Sequence, residues 1–342
     1  MLFRSTLVSY RLCTRTIKPA SLSRYSLSTA AKATQPYTMS KDLGVTDPKS
    51  VPNPLGQGNY IKTAGCLVIG DEVLNGKTKD TNSHFFAQFC FDLGIELKRI
   101  EVIADDEEEI VEAARRMTKN YDFVVTTGGI GPTHDDITYE ALGKAFDLPL
   151  THDQETLDRM RAWIPEKRRA ELAAASQAER TARERMALFP TAKGGHGGDG
   201  QGGARSEVIH VSPEKWVPVV RLAGKLCIFP GIPSLFQQLL QDLVPYLPLP
   251  PSSAKPFRHL IYTAWPESKI APYLTELQNR VRKEGIRVGS YPYLYQGVHV
   301  SLIGHDVERV KELGREVVEN LEGKVVSEGQ LGAEPIMAKA KA

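Results

Sequence analysis

The sequence predicts an α/β protein built on a doubly wound, largely parallel sheet and followed by a small ferredoxin-like α+β domain. Between Ala64 and Phe146, short apolar runs ending at glycine or polar residues alternate with helical periodicities, the pattern a parallel sheet requires. Within that stretch, residues 126 to 141 read Thr-Thr-Gly-Gly-Ile-Gly-Pro-Thr-His-Asp-Asp-Ile-Thr-Tyr-Glu-Ala, a glycine-rich turn between a strand and a helix. From about 256 to 328 the order becomes β-α-β-β-α-β.

The elements follow in order. Residues 1–40 carry Arg4, Arg11, Arg15, Lys18, Arg24 and Lys32 among many serines and threonines, with no acidic residue. This composition is that of a mitochondrial transit peptide directing the chain to the matrix. Met39, at its end, offers a second start for a cytosolic form. Pro48, Pro52, Pro54, Gly56 and Gly58 mark residues 41–62 as a flexible lead-in. The large domain is expected over 63–248. Its first strand is Ala64–Ile69, and its first helix carries Phe85, Phe86, Phe89 and Leu93 on one face before stopping at Gly94. A second strand runs Glu96–Ile103; a helix opened by Asp105-Asp106 then presents Ile110, Ala113, Ala114 and Met117 at helical spacing. Phe123–Thr127 is the third strand, followed by the glycine turn and a helix through Phe146. Thr151–Leu188 is expected to be charged surface helix interrupted at Pro165. Residues 193–205 form a glycine-rich insertion read as a disordered linker, because it lacks the Gly-Lys-Ser/Thr ending of a phosphate loop. Leu226–Phe229 is the next buried strand, and Pro230-Gly231-Ile232-Pro233 turns the chain into a helix. The small domain is expected over 256–328 and a disordered tail over 329–342.

Composition narrows function. Lysine plus arginine, 43, nearly cancels aspartate plus glutamate, 41, so no overall basic field for nucleic acid exists. No apolar run reaches the ~20 residues of a membrane span. Cys13, Cys66, Cys90 and Cys227 form no Cys-x-x-Cys pair, and no histidines stand at metal-binding spacing, so neither a disulfide framework nor a zinc site is expected. The glycine turn carries the chemistry. Gly128, Gly129 and Gly131 allow close approach of backbone N–H groups to an anion, and Asp135 and Asp136 beside it call for a cation, Mg²⁺ in the simplest case, between carboxylate and phosphate.

Thr126–Ala141 resembles the signature of the MoaB/Mog superfamily, the molybdopterin-binding-like fold. Its Gly-Pro-Thr-His-Asp-Asp form is similar to that of the competence-damage-inducible (CinA-like) proteins and, more closely, to the amino-terminal domain of animal FAD synthases. Supporting segments are Gly70–Gly76 with Asp80–Ser83, Ile103–Asp106, Phe229–Ser234 and, in the small domain, Gly289–Pro292. Arg183–Pro190 resembles the family's basic segment before a Leu-Pro, with Glu184 where a basic residue is common. The resemblance implies a ligand bearing a nucleotide or pterin phosphate, held by Gly70, Asn75, Asn82, Gly128, Gly129, Gly131, Thr133, Thr138 and Gly231. It places Asp136, Asp135 and Asp105 at the chemistry and gives Asp136, Asp71 and Glu72 a metal, Mg²⁺ or alternatively Mn²⁺ or Co²⁺. The implied activity is metal-dependent hydrolysis of a nucleotide pyrophosphate such as FAD or ADP-ribose. The alternatives are molybdopterin adenylylation, from which the Gly-Pro-Thr-His-Asp-Asp form departs, and non-catalytic binding of molybdopterin or a nucleotide. FAD synthesis is not expected, since the chain stops where that enzyme's adenylyl-transferring domain would begin. Relatives that form dimers or trimers imply a homo-oligomer.

Overall fold

The computed structural model describes residues 44–165, 167–168, 174–191, 206–294 and 296–327. The transit-peptide segment, the glycine-rich insertion and the tail lie outside the described residues. The described residues form one compact unit.

Its main sheet has six strands. β1 (Thr63–Ile69), β2 (Glu96–Ile103), β3 (Phe123–Thr127) and β8 (Leu226–Phe229) pair in parallel, and β7 (Val219–Leu222) and β6 (Ser206–Ile209) extend the β8 edge as antiparallel strands. The spatial order is β2-β1-β3-β8-β7-β6. Alternation along each strand divides the apolar side chains between two cores. Ala64, Cys66, Val68, Phe123 and Val125 join Phe86 and Phe89 of α2 (Asn82–Leu93) and Phe236 of α7 (Pro233–Asp242). Leu67, Ile69 and Val124 face the other way, onto Ile110 and Met117 of α3 (Glu107–Asn120) and Leu142 of α4 (Thr138–Ala145). Burial on both faces is why these strands read as continuous apolar runs. The boundaries have local causes: Asp106 caps α3 by accepting from the Glu109 N–H at 3.0 Å, and Gly94 ends α2 at φ 77°.

Several stretches differ from their sequence reading. Residues 44–62 are not a loose lead-in: Tyr246 donates its hydroxyl to the Thr46 carbonyl at 2.7 Å, the Thr46 N–H donates to the His210 carbonyl at 2.9 Å, and Val51 and Leu55 pack on the first core. Prolines and glycines there shape a fitted strap, including a 3-10 turn at Pro48–Ser50. The charged stretch after Thr151 resolves into β4 (Leu150–His152), α5 (Gln154–Trp163), α6 (Gln177–Arg185) and β5 (Leu188–Pro190), with β4 and β5 paired antiparallel.

In the small domain β9 (Phe257–Thr263), β10 (Arg287–Tyr293), β11 (Gly297–Gly304) and β12 (Lys324–Val326) form an antiparallel sheet in the order β10-β11-β9-β12. With α8 (Glu267–Val281) and α9 (Val307–Asn320) as crossovers, this is the ferredoxin-like arrangement. Val298, Val300 and Leu302 turn toward Ile270, Leu277, Leu313 and Val317 of the helices.

Candidate functional site

The chain leaves β1 toward α2 on one face of the sheet and leaves β3 toward α4 on the other, so a crevice opens between the carboxyl ends of these neighbouring strands. Such a switch point is where doubly wound sheets bind ligands. Gly70 follows β1, Asp105 follows β2, Gly128 follows β3, and Gly231 lies just beyond β8.

Backbone geometry explains the glycines. Gly128 has φ 110°, and a Cβ there would lie 2.0 Å from the Ile69 carbonyl oxygen. Gly129 has φ 63°, and a Cβ on it would stand 2.3 Å from Thr138 Oγ1 and 3.3 Å from Asp105 Oδ1. Only glycine permits this turn to press against β1 while bringing its backbone beside a carboxylate. Thr138 locks the turn, its hydroxyl donating to the Gly128 carbonyl and its N–H to that of Gly129, both at 3.0 Å. A Cβ on Gly131 would meet Asp136 Oδ2 at 2.6 Å, and one on Gly231 would touch Gly128 Cα at 3.4 Å.

The carboxylates divide into two groups. Asp105 accepts the Asp71 N–H at 3.0 Å; burial pushes its pKa above the ordinary aspartate value, and Glu72, Asp71 and Asp135 push it further the same way. The charges of Asp71, Glu72 and Asp135 thus all act on Asp105, beyond the end of β2. Asp135 itself is held below its ordinary value, first by a hydrogen bond from Thr133 and further by His134 and Arg185. Asp136, assigned to the metal in the sequence reading, directs Oδ2 into its own loop, accepting the Thr133 N–H at 2.9 Å and the Thr133 hydroxyl. Among the described residues, no three His, Cys, Asp or Glu side chains are assembled as a ready metal-ligand set.

Asn82 anchors the opposite wall. Its Nδ2 donates to Thr127 Oγ1 and to the Gly231 carbonyl, both at 2.9 Å, and the Thr127 hydroxyl donates to the Pro230 carbonyl at 2.9 Å. Asn82 is 6% exposed, and its Oδ1 has no hydrogen-bond partner among the described residues. Asn75, at the end of the short helix α1 (Asp71–Leu74), is exposed; its side chain accepts the Lys77 N–H at 3.1 Å. Thr127 escaped the sequence reading, since it looks like an ordinary strand residue. Arg185 looks like a candidate anion contact, but it donates to the carbonyls of Thr133 and Asp136 at 2.8 Å and pairs with Glu140 at 2.8 Å. It therefore holds the acidic loop in place. The described cysteines, Cys66, Cys90 and Cys227, are buried, and burial raises all three thiols.

Residues 65–249 match the family described as a probable molybdopterin binding domain, and residues 255–330 match the middle domain of FAD synthase. The chain is 34% identical over 239 residues to a probable FAD synthase of Caenorhabditis elegans, an alignment covering 68% of this chain and 44% of that protein. It is 30% identical over 269 residues to a Pyrococcus abyssi protein, covering 77% of this chain and 97% of that one. The solved CinA structure from Thermoplasma acidophilum, a protein titled as of unknown function, aligns with 54% of this chain and 98% of its own at a TM-score of 0.43 and 28% identity. The chain spans less than half the length of the Caenorhabditis relative.

Proposed function

The chain belongs to the probable molybdopterin-binding domain family, and from that premise we propose that its crevice hydrolyses nucleotide pyrophosphates, FAD, ADP-ribose or a similar dinucleotide, with a divalent cation. The observation that carries the reading is Asp105, which accepts the Asp71 N–H at 3.0 Å and stands 3.3 Å from where a Gly129 Cβ would lie, with the charges of Glu72 and Asp135 acting on it. The turn binds and orients a pyrophosphate through its backbone, and Asn82 Oδ1 is available as an acceptor on the opposite wall. The donors fit a hard cation, since all are carboxylate oxygens, and Mg²⁺ is commonly held by one or two carboxylates together with substrate phosphates. Asp105, Asp135, Asp71 and Glu72 would hold it, with Asp136 keeping Thr133 and the loop in position. When bound, the cation neutralises phosphate charge and lowers the pKa of an attacking water.

A second reading, binding of molybdopterin or a nucleotide without turnover, is favoured by the family's own description. Titration with molybdopterin and FAD, followed by product analysis with Mg²⁺, Mn²⁺ and Co²⁺, decides between them. The hydrolase reading expects nucleoside monophosphate release that stops with a chelator and in Asp105→Asn. Molybdopterin binding with no product from any pyrophosphate, whichever metal is present, overturns it; transfer of an adenylyl group to molybdopterin would assign the adenylyltransferase activity instead.

Two further properties belong to this proposal. Residues 1–38 serve as a mitochondrial address, so their fusion to a fluorescent reporter should enter mitochondria; a cytosolic reporter rejects the assignment. The folded body self-associates, and sedimentation of the chain from Met39 onward should give a mass above the monomer.

A further inference from the structure

At the other end of the main sheet, about 20 Å from the crevice by the length of β1, the small domain encloses a second cavity. Its volume is about 610 Å³, within the usual range for small-molecule sites. One wall is the face of the small sheet that carries no helix: Arg258 on β9, Arg287, Gly289 and Tyr291 on β10, and Ser301 on β11. The other wall is the start of β2, the end of α2 and the strap at Tyr60–Lys62. The two walls touch where the Arg258 guanidinium lies 4.1 Å from the centre of the Phe91 ring.

Three features make this cavity a built site. The first is Ser301. It is 1% exposed, stands opposite Gly289 in the β10–β11 register, and its hydroxyl has no hydrogen-bond partner among the described residues. A buried hydroxyl without a partner is destabilising, and a ligand oxygen here would satisfy it. The second is charge. Lys62, Arg258 and Arg287 line the cavity against one carboxylate, Glu96, which is already bound by Lys98 at 2.7 Å and faces Arg287 at 3.7 Å. The third is shape. Gly289, opposite Ser301, lets the Tyr291 ring lie over the strand, 3.5 Å from where a Cβ would stand, and Tyr291 is 54% exposed at the cavity.

We propose that this cavity binds a phosphate monoester carrying a planar heterocycle, a ligand of mononucleotide size. The Lys62 and Arg287 side chains hold the phosphate, the Ser301 hydroxyl donates to a ligand oxygen, and the Tyr291 ring lies against the heterocycle. The Gly289–Pro292 segment, which plays no part in the crevice, thereby acquires a role. The inference is independent of the reaction proposed for the crevice.

The test uses the full chain with AMP as probe, with adenosine and inorganic phosphate as separate arms, and an azido analogue of AMP to locate the site. AMP should bind saturably and at least tenfold more tightly than adenosine or phosphate. Photolabelling should fall on peptides containing Tyr60 or Tyr291. Lys62→Ala combined with Arg287→Ala, both exposed positions, should weaken binding at least tenfold without altering the unfolding midpoint. Gly289→Val should obstruct the cavity; the backbone tolerates a Cβ there, whose nearest contact would be Tyr291 at 3.5 Å. Asp135→Asn in the crevice should leave the labelling unchanged. Labelling confined to crevice peptides, phosphate binding as tight as AMP, or affinity unaffected by the Lys62/Arg287 pair would overturn the proposal.

Discussion

The two halves of the main sheet treat polar side chains in opposite ways. In the parallel half, β8 and β1 after Thr63 are apolar, the charges of the edge strand β2 (Glu96, Lys98, Arg99 and Glu101) stay exposed or half-buried, and the polar groups of β3 come at its end, where Thr126 and Thr127 lead into the glycine turn. In the antiparallel half, charges sit mid-strand. Glu207 of β6 and Arg221 of β7 are register partners, buried, and joined at 2.6 Å. The parallel half thus keeps its interior dry and presents polarity at strand ends, where a ligand can meet it. The antiparallel half closes its polarity within the fold, where it selects a register and a neighbour.

The largest expected effect tests that contrast. Arg221→Ala leaves the Glu207 carboxylate buried without its guanidinium and should lower the free energy of unfolding by about 3–5 kcal/mol. The double variant Arg221→Met/Glu207→Leu should recover most of it, since apolar replacement of a buried pair is often neutral. Urea denaturation measures both. A single-variant loss below about 1 kcal/mol would show that the antiparallel half does not depend on this pair.

The parallel half should instead be sensitive at its end. Gly128→Ala places a methyl against the Ile69 carbonyl at a positive φ, a strain of about 1–3 kcal/mol before any shift of β1, and should also abolish ligand binding in the crevice. Gly231→Ala, whose Cβ meets Gly128 Cα at an ordinary 3.4 Å, should cost less than about 1 kcal/mol. Thermal unfolding and FAD titration of the two variants give the comparison; equal losses would mean the turn is not held as described.

The same contrast explains what could be read in the sequence. Ala64–Ile69, Phe123–Thr127 and Leu226–Phe229 announce themselves because strands buried on both faces are unbroken apolar runs. Ser206–Ile209 and Val219–Leu222 do not, because Glu207 and Arg221 interrupt runs already short, and a charged residue in mid-strand looks exposed until its partner is known. In the crevice, the glycines were legible because a strand-to-helix turn needs positive φ and close approach. Where each acid points was not: Asp135 and Asp136 are adjacent in the chain, yet Asp136 turns back to accept from Thr133 while the charge of Asp135 acts on Asp105. Loop conformation decides that, and Arg185, 49 residues from Asp136 in sequence, helps to set it.

Acid titration should separate the halves by sign. The Asp105 pKa is raised in the folded protein, so its contribution to stability is greatest below the ordinary aspartate value of 3.8 and diminishes as pH rises through the raised one. Asp105→Asn should therefore raise the neutral-pH melting temperature slightly while ending metal-dependent turnover. His210, just beyond β6, is 3% exposed; burial and then Arg159 lower its pKa from 6.5 to about 4, against the opposing pull of Glu155 and Asp153. Its neutral form is the folded one, so its contribution is complete above pH 6.5 and is lost as pH falls toward 4. His210→Asn should flatten the acid limb between those values without touching the neutral-pH effect of Asp105→Asn. Denaturant midpoints measured across pH 3 to 8 for both variants check this, and an unchanged acid limb in His210→Asn would remove the histidine from the account.

The smallest effect is expected at the junction of the two halves. Residues 193–205 belong to the connection between β5 and β6, and the crevice and buried-pair contacts described above are made by residues on either side of it. Deleting Gly194–Gly203 changes only the length of a connection whose closure entropy varies slowly with residue number, by ~1 kcal/mol or less. The variant should unfold within that margin of the parent, keep the Glu207–Arg221 pairing and match the parent in the proposed FAD or ADP-ribose turnover. In the crevice, by contrast, Gly128 and Gly129 have backbone and side-chain neighbours that forbid a Cβ. Lost turnover in a deletion variant that retains the parent's unfolding midpoint would place part of the ligand site in the insertion, and the division between a ligand-facing half and a self-contained half would have to be redrawn.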